Sequence, residues 1–167
     1  MSAQSRDVAC LPLVSVGLFV VGGCLWPMTL HYQGWTSRPV IVTVVDANTG
    51  HAVSDAMVKL APDEDMQHFL DNTASDKKKY EDITGSNGKV KLLIWFPCGG
   101  KKTQWLVFPS DKGKFSLEGA GTLHVGAGGY EHFERKLSGL TSKPQRSVND
   151  KSAVKVSVKL KLAPADS

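Results

Sequence analysis

Two hydrophobic patterns divide the chain. The first is a run without alternation: from Val8 to Ser37 there is no Asp, Glu, Lys or Arg, and Val8 to Val21 is almost wholly apolar. Those 14 residues have the length of a signal-peptide core, while the 23 residues from Val8 to Leu30 are enough for a helix to span a bilayer. The second pattern is alternation. In the last predicted strand, Val154, Val156, Val158, Leu160 and Leu162 alternate with Lys155, Ser157, Lys159 and Lys161. A period of 2 buries one face and wets the other. Ala56–Leu60 also alternates, and the other candidate strands are the β-branched run Val40–Val45, then Lys89–Phe96, Gln104–Phe108, Thr122–Gly126 and Tyr130–Leu137. Turn chemistry separates them: Asp46-Ala47-Asn48-Thr49-Gly50, Ser86-Asn87-Gly88, and the cluster Gly126, Gly128 and Gly129. Strands at this spacing predict an all-β, antiparallel sandwich of about seven strands.

The stretch Pro62–Lys79 breaks the strand pattern. Asp63, Glu64 and Asp65 suit the start of a short helix, and Met66, Phe69 and Leu70 then fall on one face. The division expected is a hydrophobic N-terminal helix over residues 1–30, a linker over 31–38, the sandwich over 39–163 and a tail over 164–167. Two forms of attachment fit residues 1–30. Val21-Gly22-Gly23-Cys24 resembles the lipobox of bacterial lipoproteins, with Cys24 as the lipidated residue. An uncleaved transmembrane anchor is the alternative, with Trp26, Tyr32 and Trp35 in the interfacial belt. Both put the domain outside the cytoplasm, in the cell envelope.

Composition changes this picture little. A net charge of +4 implies mild attraction to anionic surfaces. There is no concentrated basic stripe interleaved with aromatics, so nucleic acid is not an expected partner. Of three cysteines, only Cys98 lies in the body, which leaves no disulfide framework and no CxxC pair.

The turns carry a family resemblance. Val42 to Val58, with Val45-Asp46, Thr49-Gly50 and Asp55-Ala56, resembles the opening of the carboxypeptidase regulatory-like domain. Thr84-Gly85-Ser86-Asn87-Gly88-Lys89-Val90 is similar to that family's Thr-Asp-x-x-Gly-x-Phe hairpin, and Gly129-Tyr130-Glu131 to its Gly-Tyr-Glu corner. Ala52, Asp55 and Gly85 stand where Pro, Gly and Asp are usual. The resemblance covers Val40 to Leu162 and implies an Ig-like, transthyretin-like sandwich, usually a non-catalytic accessory module.

A search for chemistry yields binding features only. His31, His51, His68, His124 and His132 show no metal-ligand spacing; His124 and His132 fall on neighbouring predicted strands, where facing is permitted but not required. Asp63-Glu64-Asp65 lacks the alternating oxygens of a calcium loop. No serine sits in a nucleophile elbow, and no tyrosine–histidine set matches a ring-cleaving iron site. No enzyme, metal or cofactor is therefore expected. Trp95 and Trp105, on successive predicted strands, form a candidate stacking platform for sugar. Lys155, Lys159 and Lys161 would keep an exposed edge soluble. The expected partners are the membrane and an envelope protein or glycan.

Overall fold

The structure, a computed structural model, describes residues 28–72, 80–104 and 110–164. Among them are ten strands and one α-helix. The strands are β1 (Met28–Asp46), β2 (Met57–Ala61), β3 (Glu81–Ile83), β4 (Lys89–Gln104), β5 (Ser110–Asp111), β6 (Lys114–Ser116), β7 (Thr122–Gly126), β8 (Phe133–Lys136), β9 (Gln145–Ser147) and β10 (Val154–Leu160). The helix α1 (Glu64–Asn72) lies between β2 and β3. One sheet runs β10-β1-β4-β6-β9, with β5 also on β4; the other runs β3-β2-β7-β8. The molecule is all-β with two sheets and one short helix.

The period-2 pattern decides what each strand buries. Val40, Val42 and Val44 of β1, Leu92, Ile94 and Phe96 of β4, and Val154, Val156, Val158 and Leu160 of β10 point into the core. Val58 and Leu60 of β2 and Leu123 and Val125 of β7 join the same cluster from the second sheet. In β10 every second residue is buried, as the sequence predicts. The helix meets its prediction too: Met66 and Leu70 are buried in this core, and Phe69 is half-buried beside them. Asp63 C=O accepts the Gln67 N–H at 2.8 Å, and Glu64 and Asp65 occupy the first turn, where their charge suits the helix dipole.

Three expectations are corrected. First, residues 31–38 are no linker. They lie inside β1, which pairs antiparallel with β4 from Met28↔Gln104 to Thr43↔Lys89. An uncharged segment reads as an extension of an apolar run, but Thr29, His31, Gln33 and Ser37 fall on one face of the strand, while Leu30 and Tyr32 fall on the other. Second, β4 does not stop at Phe96. It continues through Pro97-Cys98-Gly99-Gly100, a sequence that reads as a break. Pro97 falls one residue before the ladder with β6 begins at Cys98, where a missing N–H is tolerated. Third, the sheets are not wholly antiparallel. β10 pairs parallel to β1, from Val40↔Val154 to Asp46↔Leu160. Alternation reports which face of a strand is buried, and says nothing of its direction or its neighbour. No described helix is long and apolar enough to cross a membrane. The expected N-terminal helix lies outside the described residues, apart from Met28–Leu30, which are in β1.

Candidate functional site

The outer face of the second sheet brings together chemistry that the sequence scatters. β7 and β8 form a hairpin in which His124 is the register partner of Glu134. His132 precedes β8 by one residue and shares a strand face with Glu134 at a spacing of two. Their side chains converge: His124 Nδ1 lies 3.3 Å from His132 Nε2 and 3.7 Å from Glu134 Oε2. The ligand atoms of all three residues lie within 4.8 Å of one another. An open cleft of about 440 Å³ adjoins them, lined by Met57, Lys59, Ala61, His124, Gly126 and His132. His124 is half-buried, whereas His132 and Glu134 are exposed. The three ligands share no linear metal motif, and none singles out Glu134 beside the two histidines. The available signal was His-x-Glu on one strand with a third donor across a hairpin.

A second cleft, of about 600 Å³, lies on the first sheet between β1, β4 and β6, with Gln145 of β9 at its rim. Trp35, Pro97, Cys98 and Phe115 give it an apolar wall, and Gln33 and Lys114 are its polar ends. Cys98 is buried and forms no disulfide, in keeping with a small core hydrophobe. Arg38 spans the ground behind it: Nη1 donates to Ser37 O at 3.1 Å, Nη2 donates to Val148 O, and its guanidinium lies 5.6 Å from the Phe115 centroid. That arginine is spent on packing β1 against the segment after β9.

Trp95 is not laid open as a platform. It is half-buried and meets Phe69 edge-on, with ring centroids 5.4 Å apart, while Phe69 stacks on Trp35 at 4.9 Å and 18°. The three rings clamp α1 to the first sheet. Trp105 and Cys24 lie outside the described residues. Trp35, proposed above for the membrane interface, is partly buried in this aromatic cluster.

At the Gly129-Tyr130-Glu131 corner, the Tyr130 side chain turns toward Asp46 at the end of β1. The Tyr130 hydroxyl pairs with the Asp46 carboxylate. That carboxylate also accepts the Thr49 N–H at 2.7 Å and the Asn48 N–H at 2.8 Å. The bond from Thr49, helped by those from Asn48 and Tyr130, holds the Asp46 carboxyl below its usual range against the opposing effect of burial. Burial, followed by the bond to Asp46 and its charge, raises the Tyr130 phenol. Tyr80 is core-buried, and desolvation pushes its phenol up to about 12. These groups serve turns and packing.

Comparison with protein-family models, with curated proteins and with solved structures returns no match.

Proposed function

We propose that the chain is a membrane-attached, non-catalytic β-sandwich module of the bacterial cell envelope, facing out of the cytoplasm and acting in interaction or structural support. The observation that carries this reading is the uncharged segment Val8–Ser37, whose last residues, Met28–Ser37, belong to β1. A lipid on Cys24 would leave a tether of about 14 Å at most when fully extended. The end of the β1–β4 ribbon that carries Met28 also presents Lys101 and Lys102, exposed, with exposed Lys112 alongside through its N–H to Lys101 O at 3.1 Å. Cations at the tethered end suit anionic headgroups, each contributing about 1 kcal/mol near such a surface.

The fold within this proposal is the transthyretin-like sandwich of carboxypeptidase regulatory-like domains. Its support is turn chemistry. Asp55, standing where that family has Gly, has φ 57°, a conformation that favours Gly. Gly88, in the proposed hairpin, has φ 65°, and a Cβ there would meet Val44 O at 2.5 Å. The rival reading, a glycan-binding module built on Trp95 and Trp105, gains no support from a Trp95 ring already engaged by Phe69.

Metabolic labelling with a fatty acid tests the anchor. The full-length chain should take up label and sediment with membranes, and Cys24→Ala should lose the label. A labelled Cys24→Ala protein rejects the lipid form of the anchor. Recovery of the unmodified chain in the soluble fraction rejects the proposal as a whole.

A further inference from the structure

We infer that His124, His132 and Glu134 form a binding site for one Zn²⁺ ion on the outer face of the second sheet. The inference is independent of the membrane proposal, since it rests on the β7–β8 hairpin alone.

Geometry is the first ground. Zinc holds imidazole nitrogen and carboxylate oxygen at about 2.0–2.2 Å in a tetrahedron, which sets neighbouring ligand atoms about 3.3–3.5 Å apart. The His124 Nδ1–His132 Nε2 separation is 3.3 Å, an edge of that tetrahedron without adjustment. Glu134 Oε2 lies 3.7 Å from His124 Nδ1, and all three ligand atoms lie within 4.8 Å of one another, so the exposed glutamate side chain must swing toward His132 to complete the face.

Backbone support is the second ground. His124 lies within β7, between β2 and β8 in the sheet, so its Cα is fixed by ladders on both sides. Glu134 is its direct partner across the hairpin. Next to His132 the chain is fixed by the Glu131 N–H, which donates to Lys161 O at 2.8 Å, and the His132 Nδ1 lies beside Gly126, 3.7 Å from the point where a Cβ there would sit. Its Nδ1 thus faces the hairpin backbone while Nε2 faces His124. The backbone positions of the donors are set before any ion arrives, which lowers the ordering cost of binding.

Charge and donor type are the third ground. Two neutral imidazoles and one carboxylate favour borderline transition ions over Mg²⁺ or Ca²⁺, which take oxygen. Lys59, the register partner of His124 on β2, brings a cation into the lining of the cleft. Its Nζ is drawn to Glu81 Oε2 at 3.6 Å on the far strand, β3, so its charge is partly answered there. Three protein ligands leave a fourth position, and the adjoining cleft opens onto it. Water or a donor atom from a bound partner would complete the tetrahedron.

Calorimetric titration of the tag-free, full-length chain in detergent with ZnCl₂ tests the site, alongside the visible spectrum after Co²⁺ substitution. One ion per chain is expected, with the intense bands of four-coordinate cobalt. His132→Ala should weaken binding by more than about 100-fold, beyond the 10–100-fold typical of removing a supporting partner. Glu134→Gln should weaken it by about tenfold or more, and His51→Ala should leave it unchanged. Both ligand positions are exposed, and an unchanged circular dichroism spectrum confirms folding of each variant. No uptake by the wild type would overturn the inference. So would uptake indifferent to His132→Ala and Glu134→Gln, or as sensitive to His51→Ala.

Discussion

Thr84 is 1% exposed, yet it is polar, and its hydroxyl explains the exception. Oγ1 donates to Val53 O at 2.8 Å and accepts the Ala56 N–H at 2.9 Å. One side chain therefore satisfies two backbone groups between β1 and β2 that no ladder reaches. Thr84→Val keeps the shape and leaves both groups buried without that partner, which should cost about 1–3 kcal/mol in urea denaturation. A variant as stable as the wild type would show that the two groups find other partners. Asp55 is the opposite case, a residue held against its preference. Its φ of 57° is left-handed, and its N–H donates to Thr84 O at 3.0 Å. Asp55→Gly relieves the Cβ conflict but loosens the unfolded chain, so stability should stay level or rise by up to about 1 kcal/mol. A clear loss of stability in the Gly variant would point to a structural role for the carboxylate.

Among the elements, α1 is the one whose attachment depends on few residues. Its hydrophobic positions Met66, Phe69 and Leu70 were legible at helical spacing, but the partner of Phe69 was not. Trp35 sits in a segment that reads as membrane-proximal, and Trp95 in a strand whose alternate positions read as exposed. The ladder sets Ser37 opposite Trp95, which brings Trp35 diagonally near it on the same face, and Phe69 fills the position above. Phe69→Ala removes two ring contacts and should cost about 1–3 kcal/mol, less than a fully buried Phe. Hydrogen exchange should accelerate in Glu64–Asn72 while the β1–β4 ladder stays protected. Uniform acceleration across both would mean that α1 and the sheets unfold as one unit.

For the whole molecule, the closing contacts join the two sheets at one corner. Beyond β10, Lys161 O accepts the Glu131 N–H at 2.8 Å, and the Ala163 N–H donates to Gly129 O at 3.0 Å. Tyr130 reaches from the same corner to Asp46 at the end of β1. Because the folded Asp46 carboxyl titrates below its unfolded value of about 3.9, its contribution is complete above that value and disappears as pH falls through the folded pKa. Thermal unfolding of wild type and Asp46→Asn should therefore differ most at neutral pH and converge as pH falls below about 4. A gap that persists unchanged to pH 2 would assign the effect to shape instead of charge.

The sequence by itself determined the all-β class, the core faces of β2 and β10, the helical insertion and most turns. These follow from nearest-neighbour physics: a period of 2 or 3.6 and residues that tolerate particular backbone angles. It also fixed where the uncharged segment lies. Tertiary structure alone decided that Met28–Ser37 belong to β1, that β4 runs through Pro97, and that β10 lies parallel to β1. Each depends on which strand lies alongside, a long-range choice that a strand's own alternation does not encode. The same holds for the site. His132 and Glu134 are two residues apart, but His124 joins them only because β7 and β8 pair in the one register that sets it opposite Glu134.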